Sequence, residues 1–225
     1  MSSYASICIL AYQRLDFLKR TLQSLLNTPA GYPYELIIHD DGSDQEVKEY
    51  LYELQRRGEL SWLVINNDKN MGIGRSVQNC FRISSGEYLF KVDADLEFES
   101  NWLAEAIKIL GKPGIGCVSL FNYRTYAPND NRFNVLQDKG DHLIVDDLVS
   151  SIYGVNRYMW EQYGAQLGTD GWHQHIKSQG YDLAITKQDM VRNFGFGADK
   201  SIYVVEKDGK YQARELSETP RLLGE

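Results

Sequence analysis

Hydrophobic and polar positions follow two alternating periods along the first hundred residues. "SICILA" is a short continuous apolar run, as in a buried strand, and in "RLDFLKRTLQSLL" Leu15, Leu18, Leu22 and Leu25 recur at helical spacing. "YELIIHDDGSD" predicts a second strand ending at Asp40, Asp41 and Gly42. Ser43 or Asp44 is placed to cap a helix with a buried stripe of Val47, Tyr50, Leu51 and Leu54. "LSWLVINN" predicts a third strand, and the segment Gly72 to Ser84 a helix with Val77, Cys80 and Phe81 on one face. "GEYLFKVDAD" predicts a fourth strand running into two acids. Such alternation predicts an α/β fold with a mostly parallel central sheet flanked by helices. Beyond Gly116, "GCVSLFNY" reads as a further strand and Arg124 to Gly140 as a polar loop or hairpin. Asp208-Gly209 between two strand-like runs signals a C-terminal hairpin, and the tail from Ser217 reads as loosely held. With no repeat and no linker, residues 1–225 read as one domain, with a Rossmann-like nucleotide half (1–100) and an acceptor half (101–225).

The strand ends turn this pattern into a candidate site. In open sheets of this kind ligands bind in the crevice beyond the carboxyl ends of the strands. Tyr12, Asp41, Asn66 and the pair Asp93 and Asp95 all fall at such ends, so four strands deliver polar groups to one edge. Two acids at alternate positions of a strand share a face and repel, an arrangement made tolerable either by water at a solvated strand end or by a divalent cation between them. "NMGIGRS" is glycine-rich ahead of a helix but lacks the pattern of a phosphate loop. His173 and His175 lack the spacing of a helical metal site. Tyr153, Tyr158, Trp160, Tyr163 and Trp172 suit either a core or a surface that stacks on sugar or base rings.

Composition narrows the partners. Hydrophobic residues make up 43% of the 225, enough for a sizeable core, and 24 basic against 31 acidic side chains leave a net charge of −7. That balance argues against a general nucleic-acid binder, though a modified nucleobase stays open as an acceptor. Cys8, Cys80 and Cys117 are widely spaced in apolar surroundings and read as free buried thiols of a reducing compartment. No run is long enough to cross a bilayer. The expected setting is cytoplasmic, soluble or peripherally attached to a membrane.

Taken in order, "SICILAYQRLDFLKRTLQSLL", "YELIIHDDGSD", "NMGIGRSVQNCFRISSGEYLFKVDADLEF" and "GAQLGTDGWHQHIKSQGYDLA" resemble the family 2 glycosyltransferases with the A-type (GT-A, D-x-D) fold. The resemblance implies transfer of a sugar, with inversion, from a nucleotide-diphosphate sugar, UDP-linked above all, to a hydroxyl acceptor with the help of Mn²⁺ or Mg²⁺. It places Ala11, Tyr12, Arg14, Asp40, Asp41, Asn66, Arg75 and Asp93 around the nucleotide. Tyr12 borders the base, Asp41 ahead of Asp40 accepts from a base N–H, and Asp93 lies near the ribose. Asp95 is the metal ligand. Asn193 stands where many members supply a histidine to the metal, and Asp170 of "GTDGW" is the candidate general base, with Thr169 in place of the usual Glu. Other readings of the same residues are a retaining transferase, a nucleotidyltransferase, or a sugar-nucleotide or glycan-binding module without turnover.

Overall fold

Leu18, Leu22 and Leu25 are buried along one side of α1 (Leu15–Asn27), so the helical spacing in the sequence does face a core. That core lies against β1 (Ala5–Ala11), buried almost throughout. A computed structural model describes residues 3–67, 70–120, 134–148, 151–164, 172–194, 202–207 and 210–215, with backbone alone for Trp172 and the last two segments. After α1 come β2 (Tyr34–Asp41), α2 (Gln45–Arg56), β3 (Trp62–Asn66), α3 (Ile73–Ile83), β4 (Tyr88–Asp93), β5 (Leu96–Phe98), α4 (Trp102–Leu110) and β6 (Ile115–Ser119). The remainder comprises β7 (Val135–Asp138), β8 (His142–Val145), β9 (Ile152–Asn156), α5 (Arg157–Met159) continuing as a π-helical turn (Trp160–Gly164), and α6 (Trp172–Ser178). Then follow β10 (Asp182–Thr186), β11 (Val191–Asn193), β12 (Ile202–Lys207) and β13 (Lys210–Glu215).

Nine strands form one sheet in the order β3-β2-β1-β4-β9-β6-β10-β8-β7. β1 pairs in parallel with β2 and β4, β2 with β3, and β6 with β10, whereas β9 runs antiparallel between β4 and β6. The sheet is therefore mostly parallel with helices packed on it, and the carboxyl ends of β1 to β4 share one edge. The hairpin expected around Asp208-Gly209 is present as the antiparallel pair β12 and β13, with the turn and the tail beyond 215 outside the described residues.

β9 braces the end of β4. The backbone N–H of Asp93 donates to the Ser151 carbonyl at 2.9 Å, just ahead of β9. Phe90 lies opposite Gly154 and covers it so closely that a Cβ there would stand 2.2 Å from the Phe90 ring. Only glycine fits. Phe90 also meets Trp102 of α4 edge-on at 5.9 Å. Successive side chains of a strand alternate in face, so Lys91 and Asp93 lie on the face of β4 opposite to Phe90.

A second, short sheet matters as much for the site. β5 pairs antiparallel with β11, Asn193 opposite Leu96. α1 holds β5 in place, because Thr21 Oγ1 accepts from Leu96 N at 3.1 Å and Ser24 Oγ from Phe98 N at 2.9 Å. Cys8, Cys80 and Cys117 are free and buried, as expected. Among the described residues, no helix is long and apolar enough to cross a membrane.

Candidate functional site

The loops after β1 and β2 are tied together at the carboxyl edge. Gln13 N donates to Ser43 Oγ at 2.8 Å, and Asp44 N donates to Gln13 Oε1 at 3.3 Å. The capping role expected of Ser43 or Asp44 gives way to this bond, and Asp44 at the N-cap of α2 makes no side-chain capping bond. The tie comes with backbone strain. Gln13 and Arg14 are both left-handed, φ 53° and 52°, a conformation that costs an L residue roughly 1–2 kcal/mol. Consecutive strained residues at a ligand-facing edge are typical of pre-organised sites. Here they aim Arg14. Ala11 closes β1 opposite Asp40, and Tyr12 follows it, half-buried.

At the end of β2, Asp41 organises the next loop. Its Oδ1 accepts from Asn66 Nδ2 at 3.1 Å and from Met71 N at 2.8 Å, and its Oδ2 accepts from Gly72 N at 2.8 Å. Gly72, at φ 87°, takes a conformation open to glycine and so brings its N–H onto the carboxylate. A carboxylate offers about four lone-pair sites, and these three donors leave one on Oδ2. Asp40 is fully buried, its Oδ2 accepting from Ser43 N at 3.3 Å and its Oδ1 without a partner among the described residues; burial raises its pKa. The two neighbours thus differ, one holding a loop and the other closing its own turn.

Asp93 and Asp95 do not share a strand. β4 stops at Asp93 and Ala94-Asp95 form a turn into β5, so the alternation of side chains applies up to Asp93 only. The carboxylates still feel each other. Burial first, and then the charge of Asp93, push the Asp95 carboxyl up to about 6, while Arg14 and Lys91 act against the rise. Arg14 Nη1 stands 3.6 Å from Asp95 Oδ2, with its guanidinium 3.7 Å from the Phe17 ring centroid. Arg14 Nη2 is buried without a partner among the described residues. On the other side, Lys91 Nζ pairs with Asp93 Oδ1, and Lys91 is fully buried. Nothing in the reading of the sequence singled out Lys91. A lysine inside the apolar run "YLFKVD" was the available signal.

Asn193 is brought to Asp95 by the β5–β11 pairing. Its Nδ2 lies 3.3 Å from Asp95 Oδ1 and 3.5 Å from Ser151 Oγ, and its Oδ1 is buried without a partner among the described residues. The Asp95 backbone carbonyl accepts from Phe194 N at 3.0 Å, which fixes the turn. Asp95 and Asn193 offer hard oxygen donors, the kind that Mg²⁺ and Mn²⁺ take. Among the described residues no group of three or more His, Cys, Asp or Glu could hold a metal. The donor set fits a cation held by one or two protein oxygens and completed by phosphates and water.

The other candidates separate. Arg75 is exposed in the first turn of α3, its Nη1 3.9 Å from the Met71 sulfur, and among the described residues it makes no ion pair with the carboxylates of this edge. His173 pairs with Asp147 at 2.8 Å and His175 packs against Tyr163, consistent with ordinary histidines. Tyr153 and Trp160 are core residues, whereas Tyr158 is exposed. Asp170 lies outside the described residues.

The family model for glycosyl transferase family 2 matches residues 6–191. A Drosophila melanogaster protein named "Putative polypeptide N-acetylgalactosaminyltransferase 13" is 32% identical over 104 residues, which are 42% of this chain and 18% of that protein. The mannosyltransferase PcManGT from Pyrobaculum calidifontis, solved in complex with GDP-Man and Mn²⁺, superposes with a TM-score of 0.63 at 19% identity, covering 83% of this chain and 55% of that one. GalNAc-T7, solved with UDP, GalNAc and Mn²⁺, gives a TM-score of 0.68 at 16% identity, covering 88% and 46%. The chain thus spans between 18% and 55% of the length of these relatives. Both structures share its fold, the A-type glycosyltransferase fold. Since the family match runs from the first strand through β10 and into β11, and so takes in the whole carboxylate edge, the chain belongs to glycosyl transferase family 2.

Proposed function

We propose that this chain transfers a sugar from a nucleotide-diphosphate donor, UDP-linked, to a hydroxyl acceptor, with inversion at the anomeric carbon and with Mn²⁺ or Mg²⁺ as cofactor. The observation that carries this reading is the convergence of Tyr12, Asp41, Asn66, Asp93 and Asp95 on one sheet edge, with Asn193 delivered beside Asp95 by a separate strand pairing. The two solved relatives support it, since their complexes hold a nucleotide or nucleotide sugar together with Mn²⁺. One carries GDP-Man and the other UDP, so a GDP-linked donor is the second reading.

In this proposal the donor lies against residues 1–100. Tyr12 borders the base, and the remaining Oδ2 lone pair of Asp41 accepts a base N–H, the carboxylate being already oriented by Asn66, Met71 and Gly72. Asp93 accepts from ribose hydroxyls. Asp95 and Asn193 would hold the cation, which when bound would supply positive charge to a departing diphosphate. Arg14 adds a guanidinium whose buried Nη2 has no partner among the described residues and is suited to a phosphate oxygen. Asp170, assigned on the sequence, takes the proton of the attacking hydroxyl, and the acceptor lies against residues 101–225.

A panel of nucleotide sugars assayed for hydrolysis and transfer, with Mn²⁺ and with excess chelator, tests the reading. Turnover of a UDP-sugar that needs the metal is expected, and NMR of the product should show the inverted anomer. Preferred turnover of a GDP-sugar would move the donor to the second reading, and a retained anomer would remove inversion.

A further inference from the structure

Lys91 is a cation sealed in the sheet two residues ahead of the acidic turn. Its position in β4 is flanked by Cys8 of β1 and Tyr153 of β9, both fully buried, and its ammonium reaches along its own face to Asp93. A fully buried lysine is tolerated when its charge is paired. Asp93 provides that pairing, with about 30% of its own side chain still open to solvent. Asp95 is served differently: its neighbouring cation, Arg14, comes from a loop, approaches no closer than 3.6 Å, and keeps one nitrogen unpartnered among the described residues. One carboxylate has a cation fixed in the core, and the other has a cation that can be exchanged.

We infer that Lys91 is a positioning residue that gives the two acids separate tasks, holding Asp93 toward the nucleoside side of the donor and out of the cation's coordination shell, so that Asp95 alone of the pair takes the metal. The inference rests on the proposed function, because it concerns the same metal and donor. The geometry that carries it is the asymmetry of the two pairs. The influence of the Lys91 charge on Asp95 is consistent with it. In a chain of net charge −7, Lys91 also supplies positive potential where a diphosphate must approach.

Lys91→Met keeps the length and apolar stem and removes the charge. Two binding measurements on the full chain separate the possibilities: Mn²⁺ alone by electron paramagnetic resonance, and UDP in saturating Mn²⁺ by calorimetry. Releasing Asp93 and removing a unit charge from the neighbourhood of the cation should tighten Mn²⁺ alone by about tenfold. UDP should bind about tenfold more weakly, since Asp93 is no longer held toward the ribose. Opposite signs are the signature, because a purely structural lysine moves both affinities little or lowers both together. Unchanged Mn²⁺ affinity in folded Lys91→Met overturns the inference while leaving the proposed function standing if the parent protein binds UDP with Mn²⁺. A parent protein with no metal-dependent UDP binding overturns both. Lys91→Gln, which retains a donor toward Asp93 without the charge, carries the same expectation if Lys91→Met does not fold.

Discussion

The Asp41 carboxylate and the Gly72 amide, 31 residues apart in sequence, meet at 2.8 Å and join the end of β2 to the start of α3. With Met71 N and Asn66 Nδ2 on the same carboxylate, Asp41 ties Asn66 at the end of β3 to Met71 and Gly72 at the start of α3. Asp41→Ala strands two backbone donors and one amide in a part-buried setting, which costs about 1–3 kcal/mol. Urea unfolding should show that loss, and UDP binding should weaken as well. Asp41→Asn keeps an oxygen for one amide and should lie between the parent and Asp41→Ala in both measurements. A variant with full stability and weakened UDP binding would assign Asp41 to the base alone and remove its role in the loop.

Arg14 and Asp95 form the exchangeable pair of the site. Arg14→Gln removes the guanidinium and with it a donor for a phosphate oxygen, so UDP in Mn²⁺ should bind about tenfold more weakly. Binding of uridine, which has no phosphate, should change little. Calorimetry with both ligands checks the pattern. Equal weakening of uridine and UDP would show that Arg14 acts by shaping the loop, through the left-handed turn at Gln13 and Arg14, rather than through the phosphates.

The edge itself was legible from the sequence because strand ends are marked by the same punctuation that ends apolar runs: Asp40-Asp41-Gly42 closing β2, Asn66 closing β3, Asp93 closing β4. What escaped depends on contacts between distant segments. β9 enters antiparallel between β4 and β6, a neighbour relation that alternating strand and helix patterns do not encode, and the Gly154 opposite Phe90 that permits it looks like any other glycine in the sequence. Ser43 read as a helix cap because local bonding dominates such predictions, whereas a backbone N–H from residue 13 competes successfully for its hydroxyl. Lys91 sits inside an apolar run, and only the sheet shows that both flanking strands bury it. Relief of their repulsion by a cation is what the sequence offers for Asp93 and Asp95, and the fold adds two cations of its own, Arg14 and Lys91.

Asp95 makes the metal-free protein sensitive to pH in a direction opposite to that of a salt-bridged acid. Its carboxyl is raised from 3.8 to about 6, so the folded state holds this proton more tightly than the unfolded chain does. The resulting stability is fully present below about pH 4 and is lost as pH rises through 6, a change of about 3 kcal/mol at most. Asp138, Asp141 and Asp146 are lowered and work in the opposite sense, so the comparison must be between parent and Asp95→Asn. In chelator, the two should have similar unfolding free energies near pH 4, and Asp95→Asn should be the more stable at pH 7.5. Mn²⁺ at pH 7.5 should then raise the melting temperature of the parent and not of the variant. Parallel stability curves for the two proteins from pH 4 to 7.5 would show that Asp95 carries no raised proton affinity.

Asp170 is assigned from the sequence alone, and its test must separate proton transfer from structure. Asp170→Asn keeps the size of the side chain and much of its polarity but cannot take a proton from an attacking hydroxyl. Donor affinity should therefore stay within about threefold of the parent, since the proposed donor side draws on the ends of β1 to β4 and on β11, not on Asp170. Turnover should fall by about a hundred- to ten-thousand-fold, the usual loss when a positioned general base is removed. A loss of that size confined to kcat marks an interaction made in the transition state, whereas an acid that merely caps α6 (Trp172–Ser178) would move stability by about 1 kcal/mol and leave kcat near the parent value. The stereochemical result bears on the same residue, because a base that activates the acceptor for direct displacement requires inversion at the anomeric carbon. Near-normal kcat in Asp170→Asn, or a product with the configuration of the donor, would take Asp170 out of this role and shift the search for the base to other residues of the acceptor half.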